Sequence, residues 1–310
     1  MSPTTSSNSR REQSHDAITA EEISGAEAPK PQNLSTSPSS EKRPNAFTEL
    51  MSNAKKPKPS AAPVAQPLGA FSKTKSVLTS FDPRNGLGIY IEKPETNPEG
   101  RVVEYDDDFV VINDKYPKAS VHLLLIPRNP AYSSQHPLHV LSTDADFLIQ
   151  IRERVARLKV LAASELRRQY GHLSVSDTPY QEALETMMSS PDPPPPPEER
   201  AARLPRGRDW LSDIVAGVHT HPSMNHLHIH IISRDMSSPW MKHKKHYLSF
   251  TTSFLVPLED FPLEEGSKRF HPGDWPNWDM VCWRCGKNYK NKFKALKEHL
   301  EDEFDAWKQE

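Results

Sequence analysis

His226-Leu227-His228-Ile229-His230-Ile231-Ile232 is the stretch on which the reading of this chain turns. In an extended strand successive side chains point to opposite faces, so the three imidazoles share one face and Leu227, Ile229 and Ile231 share the other. The apolar row is the one to bury. Three imidazoles in a row serve no purpose in apolar packing, which leaves a solvated face or a chemical one. Two chemistries fit. Paired imidazoles on a strand bind zinc in some hydrolases, with a further ligand and carboxylates behind them. Alternatively, one imidazole attacks phosphorus while its neighbours hold the phosphate, because a neutral ring attacks without a separate base and can leave again. Immediately upstream, His219-Thr220-His221-Pro222-Ser223-Met224-Asn225 adds a turn, a hydroxyl and further imidazoles.

Working outward, residues 214–219 and 226–233 read as a strand pair. Residues 102–105, 109–112 and 121–126 read as earlier strands, β-branched or apolar and bounded by turn residues. Asp106-Asp107-Asp108 is a hairpin turn by composition, and the Pro117 region is another. Residues 143–170 carry Phe147, Ile151, Val155, Leu158 and Leu161 near helical spacing and predict one long helix. Between about 174 and 208 this order breaks around five consecutive prolines at 193–197. Prolines cannot fill a helix interior or a central strand, so this segment reads as a disordered surface insert. The expected fold is α+β: an antiparallel sheet flanked by helices, with a C-terminal zinc-finger module packed beside it.

Composition bounds the rest. The 310 residues include 30 prolines and only 35% hydrophobic residues, and the mean hydropathy is -0.72. That falls short of a single packed unit, so a core of roughly 200 residues carrying disordered segments is expected. Residues 1–66 are polar and rich in Ser, Pro and Ala, a disordered tail and no secretory signal. Within it, Lys42-Arg43 and Lys55-Lys56-Pro57-Lys58 stand eleven residues apart, spacing that suits a bipartite nuclear localisation signal. Residues 45–51 between them suit a short docking turn. A net charge of -2 supplies no global basic field, so any nucleic-acid signal is local. No apolar run approaches the roughly 18 to 20 residues of a membrane span, so a soluble intracellular protein with no membrane partner is expected.

Two cysteines, Cys282 and Cys285, are spaced C-x-x-C, too few for a disulfide framework and suited to a metal half-site or a redox pair. His299 follows Cys285 after thirteen residues, on a helix expected over 292–307, which matches zinc-finger spacing up to the fourth ligand. No second histidine follows. Glu303 stands one helical turn on, on the same face. Lys287, Lys290, Lys292, Lys294 and Lys297 crowd this module. With Lys242, Lys244 and Lys245, and His246 beside them, they suit sequence-independent contacts to nucleic-acid phosphates, with a solvated helix face as an equal alternative for some of the lysines. Phe71 and Phe81 read as core residues first, with stacking of either ring on an exposed terminal base pair as the alternative.

The pattern H-φ-H-φ-H-φ-φ resembles the histidine triad (HIT) superfamily. Asp114-Lys115-Tyr116-Pro117-Lys118-Ala119, residues 122–127, Gly217-Val218-His219, Pro222-Ser223-Met224 and Lys242-His243-Lys244-Lys245-His246 narrow that resemblance to its aprataxin branch. The resemblance spans about residues 80–305 apart from the proline-rich insert, and is of the fungal type without a forkhead-associated domain. It implies a HIT domain over 67–260 and a Cys-Cys-His-Glu finger over 261–310, holding one structural zinc through Cys282, Cys285, His299 and Glu303. It further implies a nuclear hydrolase that releases AMP from adenylated nicked or broken DNA in single-strand break repair. By the same resemblance, His228 is the nucleophile on the α-phosphorus of AMP. His230 and Ser223 hold phosphate oxygens, His226 orients the neighbouring ring, His219 assists departure of the DNA 5′-phosphate, and Lys118 stabilises substrate phosphates or ribose. DNA repair proteins would dock through the tail. The rival readings are a general HIT phosphoramidate or dinucleotide hydrolase, and a non-catalytic DNA-binding zinc protein.

Overall fold

A computed structural model describes residues 82–191 and 193–310. The tail, both basic clusters, residues 45–51, the expected start near Leu68, and Phe71 and Phe81 all lie outside the described residues. Six strands form one antiparallel sheet: β1 (Val102–Tyr105), β2 (Phe109–Asn113), β3 (His122–Pro127), β4 (Ile214–His219), β5 (Ile229–Ser233) and β6 (Leu255–Pro257), in the order β1-β2-β3-β5-β4-β6. A second, two-stranded hairpin pairs β7 (Met280–Val281) with β8 (Asn288–Lys290). The helices are α1 (Gly88–Glu92), α2 (Pro130–Ser133), α3 (Pro137–Thr143), α4 (Ala145–Tyr170), α5 (Thr178–Met188), α6 (Pro197–Arg203), α7 (Lys244–Thr251) and α8 (Phe293–Gln309).

The period-2 pattern divides the sheet into two faces. Val111, Leu123, Leu125, Ile229 and Ile231 pack with Phe147, Ile151, Val155 and Leu158 of α4 in the main core. Val110, Ile112, Leu124 and Ile126 face the other way, against Leu87 and Tyr90 at α1. Helix α4 starts where Asp144 accepts a hydrogen bond from the Phe147 amide, a side-chain N-cap. Leu161, expected on its buried face, is instead exposed, and Ala162 takes that place. The 3.6-residue repeat carries the stripe from Leu158 to Ala162, one position beyond Leu161.

The segment 226–233 is strand only from Ile229. The Leu227 amide donates to the carbonyl of Ser133 at 2.8 Å rather than to a neighbouring strand, so His226 and His228 sit on the approach to β5. In the ladder, His230 lies opposite Leu124 on one side and Gly217 on the other. Glycine is required at 217 because a Cβ there would stand 2.4 Å from the Val256 carbonyl oxygen of β6.

The proline-rich insert is not disordered throughout. It contains α5 and α6, each with a proline in its first turn, Pro179 and Pro197. Proline is favoured there because the missing N–H has no intrahelical acceptor to lose, so the prolines open helices as well as interrupt them. Both ends of the insert are pinned. The buried Asp177 carboxylate accepts from Arg167 Nε at 3.1 Å, the Arg208 amide at 2.8 Å and Trp210 Nε1 at 2.9 Å. The amides of Val175 and Ser176 also donate to the carbonyls of Gln309 and Glu310.

The C-terminal module packs into the domain rather than merely beside it. Trp275, Met280, Leu296 and Leu300 share a cluster with Tyr247 and Phe254, and Trp307 of α8 enters the main core. Helix α7 joins the parts, since the Tyr247 hydroxyl donates to the Val281 carbonyl and accepts from the Trp283 amide. Among the described residues no helix is long and apolar enough to cross a membrane.

Candidate active site

The face of β3, β4 and β5 away from α4 lines a cavity of about 550 Å³. One wall is apolar, with Leu87, Ile89, Tyr90, Ile112 and Leu124; the other carries Asp114, Lys118, His122, His219, Ser223, His228, His230 and His246. Strand alternation brings His122 and His230 to this face. The ring of His230 is 4.9 Å from that of His228 and 4.4 Å from that of His219, measured between centroids. Phe250 of α7 packs against His122, His219 and His230, closing the cluster from above. The histidine face is therefore buried under α7.

Hydrogen bonding fixes the rings. His228 Nδ1 lies 2.8 Å from the His226 carbonyl oxygen. A carbonyl only accepts, so Nδ1 carries the proton and Nε2 keeps its lone pair. The backbone of His226 thus orients the neighbouring ring, while its own half-buried imidazole lies beside Gly88, where a Cβ would come 3.4 Å from its Cε1. His230 Nδ1 and His122 Nε2 are 2.9 Å apart, and Asp114 approaches that His122 nitrogen at 3.6 Å. The backbone of Ser249 hydrogen-bonds the His219 ring. Among the described residues, no hydrogen-bond partner meets the buried Nε2 atoms of His219 and His230.

Burial disfavours the charged form of all four imidazoles. Desolvation pushes His219 and His230 well below their ordinary value of 6.5, lowers His228, and brings His122 to about 4. The buried Lys118 ammonium is pulled down to about 8 by the same cause, against the opposing pull of Asp114. Its Nζ donates to the Tyr116 carbonyl at 2.7 Å.

Ser223 lines the cavity on a loop held by residues 82–85. Arg84 Nε donates to the Ser223 carbonyl at 3.0 Å, and Asn225 Nδ2 donates to Asp82 at 2.9 Å and Asn85 at 2.8 Å. Sequence reasoning missed this clamp, and also His122, Asp114 and Phe250. His122 was within reach of the period-2 rule, since it shares the face of Leu124. The clamp spans about 140 positions and leaves no local signal.

Lys242 is exposed, with Nζ 4.6 Å from the Trp240 ring centroid, and Trp240 meets Tyr116 at the cavity edge with ring centroids 4.8 Å apart. Lys244 and Lys245 are half-buried at the start of α7. His246, expected among the DNA-facing cations, is buried instead; its Nδ1 lies 3.0 Å from the Trp240 carbonyl and its side chain lines the cavity. Helical spacing turns it inward from Lys244 and Lys245. Lys287, Lys290, Lys292 and Lys294 are exposed and Lys297 is half-buried.

Ligand atoms of Cys282, Cys285, His299 and Glu303 all lie within 4.8 Å of one another. Cys285 Sγ is 3.1 Å and Glu303 Oε1 3.2 Å from His299 Nε2. Two thiols, an imidazole and a carboxylate at these separations fit a tetrahedral zinc with bonds of about 2.0–2.3 Å. Asp114, His122 and His230 form a second such group, but there the two imidazole nitrogens are engaged with each other.

The HIT domain family matches residues 95–237, and the C2HE / C2H2 / C2HC zinc-binding finger family matches residues 251–306. The crystal structure of aprataxin ortholog Hnt3 in complex with DNA superposes with a TM-score of 0.56 at 32% identity, covering 73% of this chain and 96% of that one. A structure of Hnt3 in complex with DNA and guanosine gives 0.52 at 31% identity, over 73% of this chain and 97% of that one. The aprataxin-like protein of Schizosaccharomyces pombe is 32% identical over 85% of this chain and 94% of its own length. With identity sustained across nearly the whole of that relative, the chain belongs to the aprataxin family.

Proposed function

We propose that the protein is a DNA 5′-adenylate hydrolase working through a covalent histidine–AMP intermediate. The observation that carries this reading is the 2.8 Å contact of His228 Nδ1 with the His226 carbonyl, which commits the ring proton to Nδ1 and leaves the Nε2 lone pair for attack. His228 Nε2 attacks the α-phosphorus of the adenylate, and the bond from that phosphorus to the oxygen of the DNA 5′-phosphate breaks. His230 and the Ser223 hydroxyl bind the phosphate oxygens as charge builds on them. His219 stands beside the departing phosphate and assists its departure by position; that phosphate leaves as an anion and is already a good leaving group, so positioning matters more than strong acid catalysis. Water then cleaves the phosphorus–nitrogen bond, yielding AMP and restoring the imidazole. Lys118 steadies the substrate phosphates or ribose, and the apolar wall of the cavity receives the base.

Catalysis is assigned to residues 67–260 and one structural zinc to residues 261–310, held by Cys282, Cys285, His299 and Glu303. When bound, the zinc contributes folding free energy to the finger. Elemental analysis should find about one zinc per chain, lost in the Cys282→Ser/Cys285→Ser double variant. Zinc retained in that variant would move the metal to the histidine cluster. Lys242, Lys244 and Lys245 and the finger lysines contact the phosphates of a nicked or broken DNA end. Nuclear repair of single-strand breaks is the setting this chemistry serves, with the basic clusters of the tail as the address and the tail as a site for repair proteins.

The deciding assay is AMP release from adenylated nicked DNA, compared with hydrolysis of a small adenylated substrate. Preference for the DNA substrate supports the deadenylase. Equal rates on both would favour a general HIT phosphoramidate or dinucleotide hydrolase, and DNA affinity without AMP release a non-catalytic zinc protein.

A further inference from the structure

Arg284 lies inside the Cys282-Trp283-Arg284-Cys285 knuckle, its side chain 27% exposed. Its Nη1 donates to Glu303 Oε2 at 2.5 Å, and its Nη2 pairs with the side chain of Glu310. The other oxygen of the same carboxylate, Oε1, is the one 3.2 Å from His299 Nε2. Glu303 is therefore divided, with one oxygen turned into the ligand cluster and one held by a guanidinium.

Charge explains why that division matters. Two thiolates and two neutral imidazoles around a divalent zinc sum to zero. Replacing one imidazole with a carboxylate leaves the site one negative charge in excess, in a half-buried position where uncompensated charge is costly. A carboxylate with both oxygens free can also chelate through both, which departs from four-coordinate geometry. One guanidinium on Oε2 answers both problems: it offsets the excess charge beside the ligands, Glu310 on its far nitrogen being 53% exposed and also met by Arg208 at 3.8 Å, and it leaves a single oxygen to face the metal.

We propose that Arg284 is the positioning residue that makes Glu303 usable as the fourth zinc ligand, with Glu310 holding the guanidinium in place. The proposal rests on the zinc reading of the finger given above. It makes a conditional claim: Arg284 matters to zinc only while residue 303 is a carboxylate.

The test is a double-variant cycle in the full-length protein, reading zinc affinity by competition with a chromogenic chelator and fold by circular dichroism. Partners behind metal ligands typically contribute about 10- to 100-fold to metal affinity, and Arg284→Met should lose about that much. In the Glu303→His background the same change should cost less than about threefold, because the site is neutral without the guanidinium. Arg284→Lys, which keeps the charge, should recover most of the affinity in the wild-type background. Equal losses from Arg284→Met in both backgrounds, or no loss in either, would overturn the proposal. If Glu303→His binds no zinc, the lysine variant decides: recovery supports the role, and a loss as deep as that of Arg284→Met refutes it. A wild-type chain that holds no zinc, or that keeps zinc without both cysteines, would sink the zinc reading itself.

Discussion

His228 holds its proton on Nδ1 because the His226 carbonyl can only accept, and that contact leaves Nε2 its lone pair. His228→Ala should cut AMP release by on the order of a thousandfold or more while leaving DNA affinity nearly unchanged, since a nucleophile has no substitute within its constellation. Near-normal turnover in that variant would return the role to a metal-bound water. Protonation gives a second handle. Burial keeps His228 below 6.5, so the neutral ring that the proposed attack requires predominates above that pH. Lys118 sheds its proton near pH 8, so kcat/KM on a small adenylated substrate should fall as pH rises through about 8. Lys118→Arg should abolish that alkaline limb at a lower rate, and a pH–rate profile of both proteins checks it. Stability has its own window. The unfolded chain protonates His122 near 6.5 and the folded chain only near 4, so between those values the unfolded state binds more protons. Acidification from 6.5 to about 4 therefore removes stability, and thermal midpoints across that range should drop. The imidazoles of this site are legible from the sequence because strand alternation and the triad spacing are local. The parts played by Asp114 and Phe250 are not, since they depend on which elements become neighbours, and His122 is legible only as a residue sharing the face of Leu124.

At the level of elements, helix α4 and strands β1 to β4 lie close to where periodicity and turn residues put them. The insert departs from that reading, because a run of prolines masks two short helices and a buried anchor. Asp177→Ala would strand Arg167 Nε, the Arg208 amide and Trp210 Nε1 together, and should cost about 3–5 kcal/mol, the range for breaking a buried ion pair from one side. Denaturant unfolding measures the loss, and faster proteolytic cutting between 174 and 208 would show that the anchor pins that segment. Strand β6 makes a sharper demand on its neighbour. Gly217→Ala would drive a methyl group into the Val256 backbone and should destabilise by about 1–3 kcal/mol, with the β4–β6 pairing opening first in amide hydrogen exchange. A glycine between valine and alanine in a strand reads as a weak point, and only the approach of β6 explains it.

Across the whole molecule, the finger cannot be cut away to test it. Ending the chain after Pro272 would remove Trp275 and Trp307, both buried in the cores, so any fall in activity would report unfolding rather than weaker DNA binding. The exposed lysines Lys287, Lys290, Lys292 and Lys294 are the better probe. Changing them to glutamine should weaken DNA deadenylation while sparing the small substrate. The log–log salt slope should flatten by about 0.9 for each phosphate no longer neutralised. An unchanged slope would mean the finger serves the fold alone. The sequence shows a finger and a sheet but not their union, because α7 and α8 make it through residues far apart in the chain. The same topology fixes when the active site comes into being. His122 and His230 are 108 positions apart, and β3 meets β5 only after α4, the insert and β4 have all been passed. Pairings of such long range close slowly and late. A refolding chain should thus regain its helical signal well before its first turnover, and the interval between the two is the time it spends as a structured but chemically silent molecule.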